Sequence, residues 1–183
     1  MVETEVAASS NPSISNIRIR NTSSSVRTDA TAIELNGKVS GTFSNLDLTD
    51  YLIGLSATNE TTAYSTPSLT NIRIRNTSSS VRPLSSAIVL SGKVSSSMNN
   101  LTIDEYDNGI VMEGDGSYQT GSTPSLTNIR IRSTSSSVRS TGTAISVTDV
   151  PFINIINSPT AADSIVGYNT GIAIQTTLGT TTN

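Results

Sequence analysis

Isoleucine, leucine and valine fall along this chain in short alternating runs, not at helical spacing. In N-I-R-I-R, Asn16 to Arg20, Ile17 and Ile19 share one face, and Arg18 and Arg20 share the other. That period of two, carried by β-branched residues, predicts a half-buried strand. The pattern returns in A-I-E-L (Ala32 to Leu35), which is closed by Asn36-Gly37, and in F-S-N-L-D-L (Phe43 to Leu48). It returns again in Y-L-I-G-L (Tyr51 to Leu55), before a second N-I-R-I-R begins at Asn71.

The alternation belongs to a longer repeat. P-S-I-S-N-I-R-I-R-N-T-S-S-S-V-R at Pro12 to Arg27 recurs with small changes at Pro67 to Arg82 and at Pro124 to Arg139, so the prolines lie 55 and then 57 residues apart. Repetition at such a period marks a stacked architecture. Each long repeat holds two similar halves. First strands start near Asn16, Asn45, Asn71, Asn100, Asn128 and Phe152, and second strands near Ala32, Leu52, Ala87, Gly109, Ala144 and Gly171. A unit of this size cannot bury its own apolar face, so the units must stack. Stacking predicts one internal ladder of Ile17, Leu46, Ile72, Leu101, Ile129 and Ile153. A second is Ile19, Leu48, Ile74, Ile103, Ile131 and Ile155, and a third is Ile33, Ile53, Ile88, Ile110, Ile145 and Ile172.

The recurring Asn-Ile-x-Ile strand, followed by Ala/Gly-Ile-x-aliphatic and a Gly- or Asn-bearing turn, resembles the right-handed parallel β-helix repeats of the pectate-lyase-like superfamily. The resemblance covers roughly residues 12 to 176. It implies an all-β solenoid of about six coils of 24–29 residues, arranged as three two-coil repeats (12–66, 67–123 and 124–177) in a single domain over 12–177. Residues 1–11 then read as an N-terminal tail or adapter and 178–183 as a C-terminal tail. The family includes polysaccharide lyases and hydrolases, tailspikes, adhesins and filament proteins, so fold alone does not select a function.

Composition narrows the chemistry. The chain has no His and no Cys, which removes the usual general base, the usual zinc ligand and thiolate chemistry. No cofactor is expected. Net charge is −3, which implies no general attraction to nucleic acid. No apolar stretch is long enough for a membrane span. Richness in Ser, Thr and Asn points to an extracellular, cell-surface or virion-surface setting, although the N-terminus lacks a signal-like apolar core.

All eleven basic residues sit at repeated positions. Arg18, Arg73 and Arg130 match, as do Arg20, Arg75 and Arg132, then Arg27, Arg82 and Arg139, then Lys38 and Lys93. Stacked, the strand arginines form an outer basic stripe that could meet polysaccharide or a partner chain. The plainer reading is a solvated face, partly neutralised by Asp47 and Asp104 on the coils between. The acidic cluster from Asp104 to Asn108, with Glu113 and Asp115, could hold Ca²⁺; loop solvation is the simpler account. Asn21, Asn59, Asn76 and Asn100 head N-x-S/T sequons. The tyrosines and phenylalanines do not fall in one column of the predicted stack.

Near-perfect repetition favours a non-enzymatic structural or interaction module over a catalyst, which needs one special coil. The expected partners are further copies of the chain or a longer parent β-helix, joined through uncapped ends. The competing expectation is a carbohydrate-binding or carbohydrate-cleaving β-helix.

Overall fold

The computed structural model describes residues 9–22, 30–61, 63–77, 84–115, 123–134, 141–150, 152–156 and 164–175. The named elements among the described residues are strands: β1 (Ser13–Ser15), β2 (Arg18–Arg20), β3 (Thr31–Asn36), β4 (Thr42–Thr49), β5 (Ile53–Asn59), β6 (Ser68–Arg75) and β7 (Ser86–Gly92). They continue as β8 (Ser97–Asp104), β9 (Asn108–Glu113), β10 (Ser125–Arg132), β11 (Thr143–Thr148), β12 (Asn154–Ile156), β13 (Ser164–Val166) and β14 (Thr170–Gln175).

These strands form two parallel sheets. One runs β1-β4-β6-β8-β10-β12, with β2 also on β4 and β13 also on β10; the other runs β14-β11-β9-β7-β5-β3. Strands that are neighbours in a sheet come from successive passes of the chain, so the molecule is an all-β parallel solenoid. Between the sheets, the isolated parallel bridges Ser10↔Val39 and Ser65↔Val94 carry the pairing onward. Ser10 is thus already paired, inside the segment read from sequence as a tail.

The long strands contain a built-in change of phase. Asn16, Asn45, Asn71, Asn100 and Asn128 have φ of 59, 54, 55, 56 and 55°. Asn is among the few side-chain-bearing residues that visit this left-handed region readily. One such residue mid-strand shifts the inward face by one position. In β6 the buried residues are therefore Leu69, Ile72 and Ile74, spaced three and then two apart. The asparagine side chains stack as well. Asn45 donates from Nδ2 to Asn16 Oδ1 at 3.0 Å, Asn71 to Asn45 at 3.0 Å, and Asn100 to Asn71 at 2.6 Å.

Three aliphatic columns fill the core beneath this sheet. Leu46, Ile72, Leu101 and Ile129 stand in register, as do Leu48, Ile74, Ile103 and Ile131. All eight are buried. Ile17 and Ile19 continue these columns at the first level, where Ile17 is 42% exposed because no level lies beneath it among the described residues. The third column, not anticipated from sequence, is Ile14, Phe43, Leu69, Met98, Leu126 and Ile155. Burying a side chain of this size contributes roughly 1.5–3 kcal/mol.

Two sequence expectations need correction. In the second sheet the column is Ile33, Leu55, Ile88, Ile110, Ile145 and Ile172; Ile53 instead pairs with Thr31 and Ser86. The motif at this level is therefore Gly54-Leu55-Ser56-Ala57, two residues later than read. The cause is steric. The position before the Ile/Leu alternates Ala32, Gly54, Ala87, Gly109, Ala144 and Gly171, and a Cβ on Gly54 would lie 2.5 Å from Ile74 Cγ2, so only the glycine fits there.

The last level also differs. Ile155 pairs with Leu126, and Ile165 with Ile131, so Asn154 sits beside Ser125 and Ser164 beside Arg130. The two halves of this strand are split between β12 and β13, with residues 157–163 between them. Phe152 is exposed and does not open a strand.

Candidate functional site

Among the described residues, charge gathers on the outer face of the first sheet. It has two columns. One reads Arg18, Asp47, Arg73, Thr102, Arg130 and Ser164; the other reads Arg20, Thr49, Arg75, Asp104, Arg132 and Val166. The alternation in the strands sets this order, because the arginines face out wherever the isoleucines face in.

Each aspartate bridges the levels on both sides of it. Asp47 Oδ2 takes Arg18 Nε at 3.2 Å and Arg75 at 3.4 Å. Asp104 takes Arg73 at 3.5 Å on one oxygen and Arg132 Nε at 2.5 Å on the other. Thr49 adds a hydroxyl bond to Asp47 and accepts from Arg75 Nε. The hydrogen bond to Asp104, and then its charge, raise the Arg132 pKa above its ordinary value. The Asp104 side chain is only 10% exposed, but its arginine partners are about half exposed. Pairs this wet contribute ~0–1 kcal/mol each. Six guanidinium groups face two carboxylates here, so the face keeps a positive excess. Arg20 and Arg130 meet no described carboxylate at ion-pair distance. Arg27, Arg82 and Arg139 lie outside the described residues.

Carboxylates at the end of this sheet have a different task. Asp50 and Glu105 adopt positive φ, 65 and 63°. Each then caps the next level: Asp50 Oδ1 accepts Thr77 N–H at 2.7 Å, and Glu105 Oε1 accepts Thr134 N–H at 2.8 Å. Asp107 accepts Leu84 N–H at 3.2 Å, and Asp115 pairs with Lys93 at 3.6 Å. Of the acids weighed as a Ca²⁺ cluster, Asp104, Glu105, Asp107 and Asp115 are thus engaged with protein donors. Among the described residues no three His, Cys, Asp or Glu side chains converge on a metal position.

Three of the tyrosines form a column of their own, which the sequence reading did not single out. Tyr51, Tyr106 and Tyr168 each follow the capping position, at Asp50, Glu105 and Gly167. Tyr106 Oη donates to the Tyr51 carbonyl at 3.0 Å, and Tyr168 Oη donates to the Tyr106 carbonyl at 2.9 Å. Each bond skips one level. Tyr106 is fully buried. Burial, and then the charge of Glu105, push the Tyr168 phenol well above its usual range. The signal was present in sequence as the spacing from Tyr51 to Tyr106, which equals the first repeat period.

The sequon asparagines divide. Asn59 is fully buried, its Nδ2 donating to the carbonyls of Ala63 and Lys93 at 2.8 and 3.0 Å. That leaves no room for a glycan, so this residue is a structural clamp, not an acceptor. Asn76 is also buried. Asn100 is exposed, but its Nδ2 belongs to the asparagine ladder. Asn21 is half-buried at the edge of the first level.

Comparison with protein-family models, with curated proteins and with solved structures finds no match to this chain.

Proposed function

We propose that this chain is a non-enzymatic structural and interaction module, a right-handed β-helix of six coils that works outside the cell or on a cell or virion surface. In this reading it assembles end to end into a filament or surface layer. The carrying observation is the state of the last level. Ile172 and Ile174 are 45 and 64% exposed, whereas Ile145 and Val147 beside them are each 1% exposed. The same column positions are core in the interior and bare at the end. Bare apolar edge strands are templates for further pairing, and a repeated pair of levels suits a lattice better than a single catalytic centre.

A second reading is favoured by the positive excess of the arginine face: binding of an anionic polysaccharide along that stripe. Electron microscopy and light scattering of the purified chain near neutral pH test the two together. Filaments without added sugar support assembly. Monomers that bind an acidic polysaccharide, with affinity lost on Arg73→Glu with Arg75→Glu, support the second reading and overturn the first.

A further inference from the structure

The alternation of alanine and glycine in the second sheet supplies a fit test for what covers the last level. In the interior, each glycine receives the alanine of the following level. A Cβ on Gly54 would lie 2.7 Å from the Ala87 carbonyl oxygen, and a Cβ on Gly109 would lie 2.4 Å from that of Ala144. Gly171 continues this column, yet the nearest atom to its would-be Cβ is Ile165 Cγ2 at 4.0 Å. It is shaped for a following alanine carbonyl, and no level of this chain follows it among the described residues. At the other end stands Ala32, equivalent to Ala87 and Ala144, whose carbonyls are directed at the preceding level.

The tyrosines give the same polarity independently. The hydroxyl reaches back two levels to a tyrosine carbonyl, from Tyr106 to Tyr51 and from Tyr168 to Tyr106. Tyr51 has no tyrosine two levels before it, and Tyr168 has none two levels after it, among the described residues. The two ends are therefore complementary in phase: among the described residues the first level is of the alanine kind and the last is of the glycine kind.

We infer that the occupant of the last level is a second copy of this chain, docked head to tail. Its Ala32 carbonyl seats over Gly171, and its Tyr51 hydroxyl donates to the Tyr168 carbonyl of the first copy. This rests on the self-assembly reading above and adds the joint, its direction and its register. The joint repeats contacts the chain already makes between its own levels, with Ile33 over Ile172 and Asn36 beside Gln175. An eight-residue strand spans about 26 Å and paired sheets with their side chains about 20 Å, a cross-section on the order of 500 Å². Counted on both partners, that is on the order of 1,000 Å², where specific association begins. Arg20 would face Val166, a position that carries Asp104 inside the chain, so the charge bridge is not part of the joint.

The chain has no cysteine, which makes thiol trapping clean. The double variant Asn36→Cys with Gln175→Cys places both thiols on exposed, neighbouring positions only across a head-to-tail joint. Within one chain they lie about 24 Å apart along the stack, beyond disulfide reach. Under mild oxidation the double variant is expected to give a ladder of covalent dimers, trimers and higher species, whereas either single variant gives none. Dimers from Gln175→Cys alone would mean a tail-to-tail joint and overturn the inference. Gly171→Val should raise the concentration for half-assembly at least tenfold with an unchanged unfolding midpoint, because in the single chain its Cβ meets only Ile165 Cγ2 at 4.0 Å, an ordinary contact. Tyr51→Phe should raise it about fivefold. If the wild type assembles and Gly171→Val assembles equally well, the joint is wrong while self-assembly stands. If the wild type stays monomeric at every concentration, the assembly reading falls and the joint with it.

Discussion

Levels built on β3, β7 and β11 differ from those built on β5, β9 and β14 at three places where neighbouring levels meet. The first kind carries Ala32, Ala87 and Ala144, and the second carries Gly54, Gly109 and Gly171. The first kind puts arginine outside at both strand positions in all three cases, and the second brings Asp47 and Asp104 between them. The first kind enters a Thr/Ser segment after β2, β6 and β10, and the second turns at once on a tyrosine, whose preceding carboxylate, Asp50 or Glu105, caps the Thr/Ser segment of the next level in the first two cases. Each feature of one kind answers a feature of the other. The working unit of this fold is therefore a pair of unlike levels, although either kind alone has the same aliphatic columns.

The largest effect expected from breaking this pairing is at the glycine seat. Gly109→Val drives a side chain into the Ala144 carbonyl and into Ile131 Cγ2, 2.8 Å from the Cβ position. Overpacking against backbone should cost about 3 kcal/mol or more, read as a lost or strongly lowered unfolding transition. The same change at Gly171 should leave the midpoint of the isolated chain unchanged. Next come the columns shared by both kinds. Leu101→Ala, in a site 1% exposed, should cost ~2–5 kcal/mol in denaturant unfolding. Ile172→Ala, at the bare end, should cost within ~0.5 kcal/mol, as at other surface positions.

Smaller effects sharpen the comparison. Tyr106→Phe removes a bond that only the second kind makes, worth about 1 kcal/mol. The Tyr168 phenol has a raised pKa because burial disfavours its ionised form, so the folded state holds the proton more tightly than the unfolded one. Its contribution is complete below the ordinary phenol value of about 10 and declines as pH rises beyond it. Thermal midpoints should fall above that pH in the wild type, and less steeply in Tyr168→Phe. Smallest is Asp104→Asn, which unlinks Arg73 and Arg132. With half-exposed arginines it should cost about 1 kcal/mol or less, and the loss should shrink in high salt.

Much of this was legible in the sequence, and the misses share a cause. Ile72 and Ile74 announced themselves by alternation, and their columns follow from the repeat. Leu69 did not, because Asn71 at positive φ breaks the period of two just between Leu69 and Ile72. Leu55 was misplaced by two residues because Ile53 imitates the aliphatic position and glycine carries no hydrophobic signal. In the last level the residues between β12 and β13 displace Ile165 from the spacing that placed Ile155 in its column. The sequence shows arginines alternating with acids, but which acid serves which arginine depends on diagonal contacts such as Asp47 with Arg75. A column pattern reports neighbours along the stack and is silent about diagonals.

The tyrosine bonds have one more consequence. Backbone pairing ties each level only to the next, which by itself would let an end peel one strand at a time. A hydroxyl anchored two levels away changes the step size. Freeing the level of β14 breaks the Tyr168 bond, but the level of β11 beneath it then loses the lid that the tyrosine held across it. Fraying should proceed in twos, so amide protons of β11 and β14 should exchange with one shared opening rate, and those of β7 and β9 with another, slower one.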